Sequence, residues 1–302
     1  MRSEEQKRLG YVLKHPGAFA IAALRSFRAN QGLLLAGAVA YYALLSIVPL
    51  LILTVIALSH VIDQAELLQT LGRYLAWLVP GQSELIIAEL GRFLDHRHVT
   101  SWLLLVTMLF FSSLAFTVLE NAMSVIFHHR VALRRRSFVV SALLPYCYIV
   151  LLAVGLLLAT LAAGSLQALG REEIQLLGRS WSLAGVAGML LYALGLAGEV
   201  FVLTSVYMVM PVGRLSLTHA LIGAITAAAL WEVTRHVLVW YFATLSQIGS
   251  VYGSLTTAIV VLLTLEFAAT LLLIGAQVIA QYERIGLSSA AKSAPLGRLH
   301  SD

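Results

Sequence analysis

The sequence is poor in the residues on which disulfide-linked, metal-binding and soluble globular proteins depend. Its 302 residues include one cysteine, Cys147, which excludes an internal disulfide and a cysteine-rich metal site. Charged residues make up 12% of the chain, about half of the roughly 25% that is usual in globular domains. Hydrophobic residues make up 60%, and at least four stretches of 18 or more residues carry no charge. Each of these stretches is long enough to cross a bilayer core of about 30 Å, so we expect an integral membrane protein.

The common motifs of soluble enzymes are also missing. The chain contains no dinucleotide-binding glycine motif, no P-loop and no zinc-protease motif. No polar segment is longer than about 40 residues, which leaves no room for a separate catalytic or nucleic-acid-binding domain. We therefore expect a protein that is not an enzyme, that holds no cofactor or metal, and that does not bind nucleic acid.

The long apolar runs predict an all-α, polytopic membrane bundle with six transmembrane helices. The predicted spans are 33–60, 101–127, 138–169, 180–210, 218–243 and 251–281. Fourteen of the Lys and Arg residues fall on one side of these spans and five on the other. Because cytoplasmic connections carry the excess of Lys and Arg, both termini are predicted to face the cytoplasm.

The chain is expected to divide into an N-terminal segment (1–32), a transmembrane domain (33–283) and a flexible cytoplasmic tail (284–302). Within the first segment, residues 16–30 begin with a proline and place three apolar side chains on one stripe, which is typical of an interfacial helix on the inner leaflet. The stripe consists of Phe19, Ala23 and Phe27.

The only large extracytoplasmic connection covers about residues 61–98. Asp63 and Glu66 resemble a capping box, and an apolar stripe at helical spacing follows them. Pro80 and Gly81 interrupt this pattern, and Ser83 can cap a second apolar stripe. The pattern predicts a short helical hairpin over the outer mouth of the bundle. A mobile hydrophilic loop is the alternative.

Ionisable side chains inside the predicted spans are the strongest functional signal, because each is costly in lipid unless it is paired or hydrated. At about 1.5 Å per residue, Glu232 and Glu266 lie near the middle of the membrane, two carboxylates lie closer to the cytoplasm, and the arginine lies one turn further out than Glu232. Either water reaches these groups or some of the carboxylates hold protons. The five residues are Glu120, Glu199, Glu232, Arg235 and Glu266.

Three polar residues of the fifth span share one helix face. Glu232, Arg235 and His236 stand at i, i+3 and i+4, the spacing at which helical side chains meet. With Glu266 of the sixth span, they predict a polar cavity that binds a charged group or relays protons. A structural ion-pair network that locks the helices together is the alternative.

Four uncharged polar residues are further candidates for the lining of this cavity. Asn121 follows Glu120, although a buried amide is more often an interhelical hydrogen-bonding group. Tyr41 and Tyr42 lie about one third of the way into the first span. Tyr252 belongs to an uncharged, Gly- and Ser-rich stretch, for which we favour a tight turn over an ordered lip on an outward-facing cavity.

Small residues repeat along two of the predicted spans. Such rows allow helix backbones to approach closely, so we expect helix packing at these positions. The row in the fifth span contains Ala220, Gly223, Ala224, Ala227 and Ala228, and the row in the fourth span contains Gly185, Gly188, Gly195 and Gly198.

Five segments form a specific combination: AGAVAYYALLSIVPL at 36–50, RRRSF at 134–138, ALWE at 229–232, VYGSL at 251–255 and GAQ at 275–277. This combination resembles the YihY/BrkB family of bacterial inner-membrane proteins over about residues 20–283. The resemblance implies an inner-membrane location and a link to virulence or to the export of envelope lipids. The older family label of ribonuclease BN does not fit, because a nuclease site must be reachable from water.

The combined evidence predicts a transporter or lipid translocase that moves an anionic, envelope-related substrate through a polar intramembrane cavity. Arg235 would bind the anionic group, and Glu232 and Glu266 would bind or exchange protons. The alternative is a non-transporting scaffold for envelope assembly, in which these charges are structural. Membrane lipids are the expected partners, and self-association into a homo-oligomer stays open.

Overall fold

A computed structural model of the protein describes most of the chain. The described residues are 10, 12, 14–59, 61–78, 83–95, 102–128, 138–170, 173–176, 179–182, 184–211, 215–244 and 256–293. They are helical apart from one short pair of strands, which confirms the predicted helical fold. The predicted candidate Tyr252 lies outside the described residues.

The helices and strands follow one another in a simple order. They are α1 (Pro16–Ala29), α2 (Gly32–Leu58), α3 (Gln64–Leu78), α4 (Ser83–Asp95), α5 (Trp102–Ile126), α6 (Phe138–Gly170), β1 (Glu173–Leu176), β2 (Arg179–Ser182), α7 (Ala184–Val209), α8 (Leu217–Thr244) and α9 (Thr256–Ser293). Each predicted span contains one helix, namely α2, α5, α6, α7, α8 or α9.

Three helices meet the requirements for a membrane span within the part of the chain that the structure describes. Their long apolar segments are Ala187–Val209 of α7, Leu217–Phe242 of α8 and Ala258–Ile285 of α9. Shorter apolar helical segments are Gly32–Ser46 of α2, Leu114–Ile126 of α5 and Ala153–Ser165 of α6. The structure therefore supports an apolar helical bundle with three clear candidate membrane spans among the described residues.

Two boundaries differ from the prediction. The fourth span was predicted to begin at residue 180, but β1 and β2 form an antiparallel hairpin with Glu173 opposite Ser182, and α7 begins only at Ala184. The alternation of polar and apolar residues in β1 is the signature of a strand. At the other end, α9 continues to Ser293, so residues 284–293 are helical rather than a flexible tail. Alanine, leucine and lysine favour a helix there.

The long helices form a closed ring. Going around the ring, α2 packs against α9, α9 against α8, α8 against α7, and α7 against α6. The ring closes because α6 also packs against α2. Helix α5 packs against α2 and α9. The largest group of buried apolar residues lies inside this ring, at the ends of α5 and α7 and the start of α8. Tyr207 and Met123 are fully buried within this group. The ring positions α7 beside α8, where the charged residues lie.

The helix α1 is present as predicted, but its apolar stripe faces the protein and not the lipid. Ala23 and Phe27 are buried, and α1 packs along α9. On the opposite side, Ile21 and Leu24 are 55% and 54% exposed. The buried side of α1 is therefore covered by α9, and its position on the inner leaflet stays a prediction.

The predicted outer connection contains two amphipathic helices, α3 and α4. Leu71 and Leu75 of α3 and Leu90 of α4 are buried together with Ile52 and Val55 of α2. The apolar stripes of α3 and α4 therefore pack on the end of α2. The turn between α3 and α4 lies outside the described residues.

The small residues of the two predicted rows have different surroundings in the structure. At the crossing of α8 and α9, a Cβ atom on Gly275 would lie 2.9 Å from the carbonyl oxygen of Gly223 and would also meet the hydroxyl of Tyr207. On α7, a Cβ atom on Gly188 or Gly198 would meet nothing within 4 Å. The prediction of close packing holds for the α8 row and was wrong for Gly188 and Gly198, because these glycines do not face a neighbouring helix.

Candidate functional site

The most polar part of the membrane-spanning region lies between α7 and α8. We call the group formed by Glu232 and Arg235 of α8 with Tyr192 and Glu199 of α7 the α7–α8 cluster. The two residues of α8 are one turn apart, and the two residues of α7 are separated by seven positions and so share a face of that helix. Each pair therefore faces the other across the helix contact.

The centre of the α7–α8 cluster is an ion pair within one helix. The Arg235 guanidinium donates from Nη2 to Glu232 Oε2 at 2.7 Å. The two side chains are 15% and 16% exposed. Removing both charged groups from water is costly, and their mutual attraction together with a close hydrogen bond offsets that cost. The pair is thus stable only while both partners keep their charges.

Helix α7 contributes a second carboxylate and a hydroxyl. Glu199 interacts electrostatically with Glu232, which it repels, and with Arg235, which it attracts. Tyr192 interacts with both Glu232 and Arg235 through its hydroxyl. If all charges are present, two carboxylates share one guanidinium, and the cluster carries a net charge of about −1. One proton or one bound cation would make it neutral.

The α7–α8 cluster has an exposed edge. The His236 side chain is 69% exposed, and its Nδ1 donates to the main-chain carbonyl oxygen of Glu232 at 2.7 Å. Tyr192 is 45% exposed, and the apolar residues Met189 and Val233 beside it are 75% and 64% exposed. These exposed side chains form one open edge of the α7–α8 cluster.

The structure does not bring Glu266 into the α7–α8 cluster. Leu265 is buried against Ala40 of α2, which turns the next residue of α9 away from that contact. Glu266 is exposed, and it makes no ion pair within the described ranges. The predicted Glu232–Arg235 contact is therefore present, whereas the predicted proximity of Glu266 is not observed.

The other predicted residues are spread over the bundle. Glu120 and the exposed Asn121 lie near the end of α5. Tyr41 and Tyr42 of α2 contact each other edge to face with ring centroids 5.2 Å apart, and Tyr41 is 53% exposed. Asn121, Tyr41 and Tyr42 make no hydrogen bond or ring contact with the α7–α8 cluster in the part of the chain that the structure describes. Their roles stay predictions.

Two polar contacts that the sequence analysis did not include hold the opposite end of the bundle together. Asn30, at the end of α1, donates from Nδ2 to Gln277 Oε1 of α9 at 2.9 Å. His219 Nδ1 lies 3.2 Å from Glu283 Oε1, joining the start of α8 to α9. The residues of the first pair are 247 positions apart and those of the second are 64 apart, so no pattern within a single helix predicts these two contacts. The run of Gly275 to Gln277 was noted only as part of the family resemblance.

These features define a class: a helical membrane protein with an ion pair and a second carboxylate inside its apolar bundle. The sequence matches the family described as Virulence factor BrkB over residues 23–296, which is most of the chain. The protein belongs to this family, and the resemblance that the sequence suggested is confirmed.

Several curated relatives support the same assignment. A UPF0761 membrane protein of Alkalilimnicola ehrlichii is 27% identical over 260 residues, covering 86% of this chain and 57% of the relative. A UPF0761 membrane protein of Azotobacter vinelandii is 27% identical over 274 residues, covering 90% of this chain and 64% of the relative. The chain thus spans less than two thirds of the length of these relatives. No solved structure matches it.

Proposed function

We propose that this protein is a translocase of the bacterial inner membrane that moves an anionic amphipathic substrate past the α7–α8 cluster. In this proposal α2, α5, α6, α7, α8 and α9 all cross the membrane, and both termini lie in the cytoplasm. The distribution of Lys and Arg supports this orientation. The relatives are named as membrane proteins, which agrees with this location and says nothing of a substrate.

The observation that carries the proposal is the largely buried ion pair of Glu232 and Arg235 beside an exposed edge. The pair lies 15 to 18 residues into α8, about 22 to 27 Å from its first residue, well inside an apolar span. Charged groups at such a depth are costly and commonly mark the path of a substrate or a proton. An amphipathic substrate would keep its acyl chains in the lipid while its headgroup enters at the edge formed by Tyr192 and His236.

Proton exchange gives this cluster a way to bind and release an anion. While Glu232 is ionised, it occupies the guanidinium of Arg235 at 2.7 Å. Protonation of Glu232 removes that competitor, and the planar guanidinium can then bind a phosphate or carboxylate through two parallel hydrogen bonds. Deprotonation of Glu232 afterwards releases the anion.

The scaffold alternative receives less support from the geometry. A structural network would be expected to link different helices through its ion pairs. The closest ion pair of the cluster lies within α8, at i and i+3, and the links from this pair to α7 are the weaker interactions of Tyr192 and Glu199. The packing of α8 on α9 is instead accounted for by small and apolar residues such as Gly223 and Gly275.

The proposed orientation can be tested by labelling single cysteines in intact cells. With Cys147 replaced by alanine, Lys14→Cys before α1 should react with a membrane-impermeant maleimide only after the inner membrane is opened. Glu84→Cys on α4 should react once the outer membrane alone is permeable, because α4 would lie outside. Both positions are exposed in the structure. The opposite labelling pattern would overturn the orientation.

Translocation itself can be measured with the purified chain in liposomes that contain a headgroup-labelled anionic phospholipid. The wild-type protein should move the lipid between leaflets. Arg235→Ala should lower the rate at least tenfold because the anion-binding guanidinium is lost. Glu232→Gln should lower it at least tenfold because the side chain can no longer lose a proton to release the anion. Ile225→Ala is a matched control on α8, since its side chain is exposed and lies two turns before Glu232. Wild-type rates in both charge variants would refute the mechanism.

A further inference from the structure

A second candidate site lies at the other end of the bundle from the exposed edge of the α7–α8 cluster. A cavity of about 490 Å³ is lined by Asn30, Ser124, Val125 and His128, between the α1–α2 corner and the end of α5. We call it the corner cavity. Its volume is in the range of sites that hold small molecules or lipid headgroups. The proposed function does not use it.

The α1–α2 corner that forms one wall is tightly built. Gln31 has a positive φ of 54°, which lets the chain turn sharply between the two helices. The ring of Phe27 lies where a Cβ atom on Gly32 would stand, so only glycine fits at this position. The backbone N–H of Asn30 donates to the carbonyl oxygen of Ser26 at 2.9 Å. These contacts fix the position of Asn30 at the rim of the corner cavity.

Behind Asn30 there is a buried donor that lacks an acceptor. The Gln277 side chain is fully buried, and its Oε1 accepts from Asn30 Nδ2. Gln277 Nε2 is buried and has no hydrogen-bond partner among the residues described. A buried amide group without a partner costs free energy, and such groups are commonly satisfied by a ligand or by water. Gln277 does not itself line the corner cavity, and its contact with Asn30 holds that residue in place at the cavity rim.

The polar groups of the corner cavity have complementary roles. The Asn30 side-chain amide has a second N–H beyond the one that it donates to Gln277 Oε1, and this N–H suits an oxygen of a phosphate. The Ser124 hydroxyl already donates to the main-chain carbonyl of Glu120 at 2.9 Å, so its oxygen is left to accept from a ligand. A phosphodiester headgroup with a terminal hydroxyl or ammonium group satisfies both requirements. Phosphoglycerol and phosphoethanolamine headgroups are of this kind.

The surroundings indicate a lipid rather than a free anion. Ile21, Leu24, Leu33 and Leu34 are apolar and 54–69% exposed on α1 and on the start of α2. The basic residues Arg25 and Arg28 of α1 are also exposed and lie among these apolar residues in the sequence. Exposed apolar groups next to basic groups are typical of a helix at the level of the lipid headgroups. Val125 is 42% exposed and provides an apolar border for an acyl chain.

We propose that the corner cavity binds the phosphodiester headgroup of a phospholipid from the cytoplasmic leaflet. This inference rests on the proposed function for its orientation, because it takes α1 to lie on the cytoplasmic side. It names the substrate class as a glycerophospholipid whose headgroup carries a terminal hydrogen-bond donor. The corner cavity would then be the site at which the lipid is held before it reaches the α7–α8 cluster.

Native mass spectrometry of the full-length chain in a neutral detergent tests the inference directly. The protein would be titrated with dioleoyl phosphatidylglycerol, dioleoyl phosphatidylethanolamine and dioleoylglycerol, which lacks the phosphate. We expect the two phospholipids to bind at least tenfold more tightly than dioleoylglycerol. Val125→Phe, which fills the cavity from an exposed position, should weaken phospholipid binding at least tenfold. Val150→Phe on α6, also an exposed valine, is the control and should have no effect.

Two further variants separate the corner cavity from the rest of the protein. Asn30→Ala should also weaken phospholipid binding, whereas Glu84→Ala on α4, an exposed polar residue outside the corner cavity and the α7–α8 cluster, should leave it unchanged. Equal binding of dioleoylglycerol, or undiminished binding by Val125→Phe, would overturn the inference. Displacement of the lipid by millimolar inorganic phosphate would assign the cavity to a free anion and overturn it as well. If the corner cavity passes these tests but the wild-type protein moves no lipid in liposomes, the proposed function fails and the binding site stands.

Discussion

Arg235→Ala is expected to lower both the stability of the protein and its translocation rate. Without the guanidinium, Glu199 and Glu232 face each other with no cation between them, although each interacts with Arg235 in the native cluster. Breaking a largely buried ion pair by removing one partner commonly costs about 3–5 kcal/mol, because the other charge is left uncompensated. The free energy of unfolding in mixed micelles, obtained by titration with a denaturing detergent, measures this loss.

The double variant Glu232→Gln with Arg235→Gln separates the structural and functional roles of the pair. It removes both charges at once and replaces them with side chains that can bond to each other. We expect it to recover most of the stability lost in Arg235→Ala, since a missing ion pair costs far less than an unpaired buried charge.

Translocation by the double variant should nevertheless stay at the background rate, because neither the anion site nor the proton-binding carboxylate is present. A double variant that regained both stability and translocation would show that the pair is only structural. An Arg235→Ala protein as stable as the wild type would show instead that Arg235 does not compensate the charges of Glu199 and Glu232.

The second large effect is expected at the crossing of α8 and α9. A Cβ atom on Gly275 would lie 2.9 Å from the carbonyl oxygen of Gly223 and 3.1 Å from Cβ of Ala227. It would also meet the hydroxyl of Tyr207, which is fully buried and donates to the carbonyl oxygen of Leu272 at 2.7 Å. Because the obstacle includes backbone atoms and a fixed ring, the helices must separate. We expect Gly275→Val to destabilise the protein by about 3 kcal/mol or more.

The matched control for Gly275→Val is a glycine of the same bundle that faces no neighbour. A Cβ atom on Gly188 or Gly198 would meet nothing within 4 Å. Gly188→Ala should leave the free energy of unfolding unchanged or raise it by up to about 1 kcal/mol, because alanine favours a helix over glycine. The same detergent titration measures both variants. A Gly275→Val protein with wild-type stability would contradict the close approach of α8 and α9.

The local part of the candidate site could be read from the sequence. Glu232 and Arg235 are one turn apart on the same helix, and a contact at i and i+3 needs only the helix to form. The observed distance of 2.7 Å between Arg235 Nη2 and Glu232 Oε2 agrees with that expectation. Depth along the helices was likewise sufficient to place Glu199 near this level, and the structure records its interaction with both residues.

The non-local part of the site could not be read in this way. Depth in the membrane does not fix the rotation of a helix about its own axis, and that rotation decides which neighbour a side chain meets. Glu266 has a suitable depth, but the burial of Leu265 against α2 turns it away from the α7–α8 cluster. The contact between Asn30 and Gln277 joins residues 247 positions apart, and the sequence contains no periodicity over such a separation.

The sequence by itself determined the class of the protein, the start of each long helix to within five residues and the Glu232–Arg235 pair. These features follow from the length of apolar runs and from the fixed geometry of one helix. Only the tertiary structure decided which faces meet: the stripe of α1 packs on α9, Gly275 faces Gly223, and the corner cavity forms between α1, α2 and α5. The physical reason is that packing depends on the shapes of two surfaces at once, and a sequence pattern specifies only one of them.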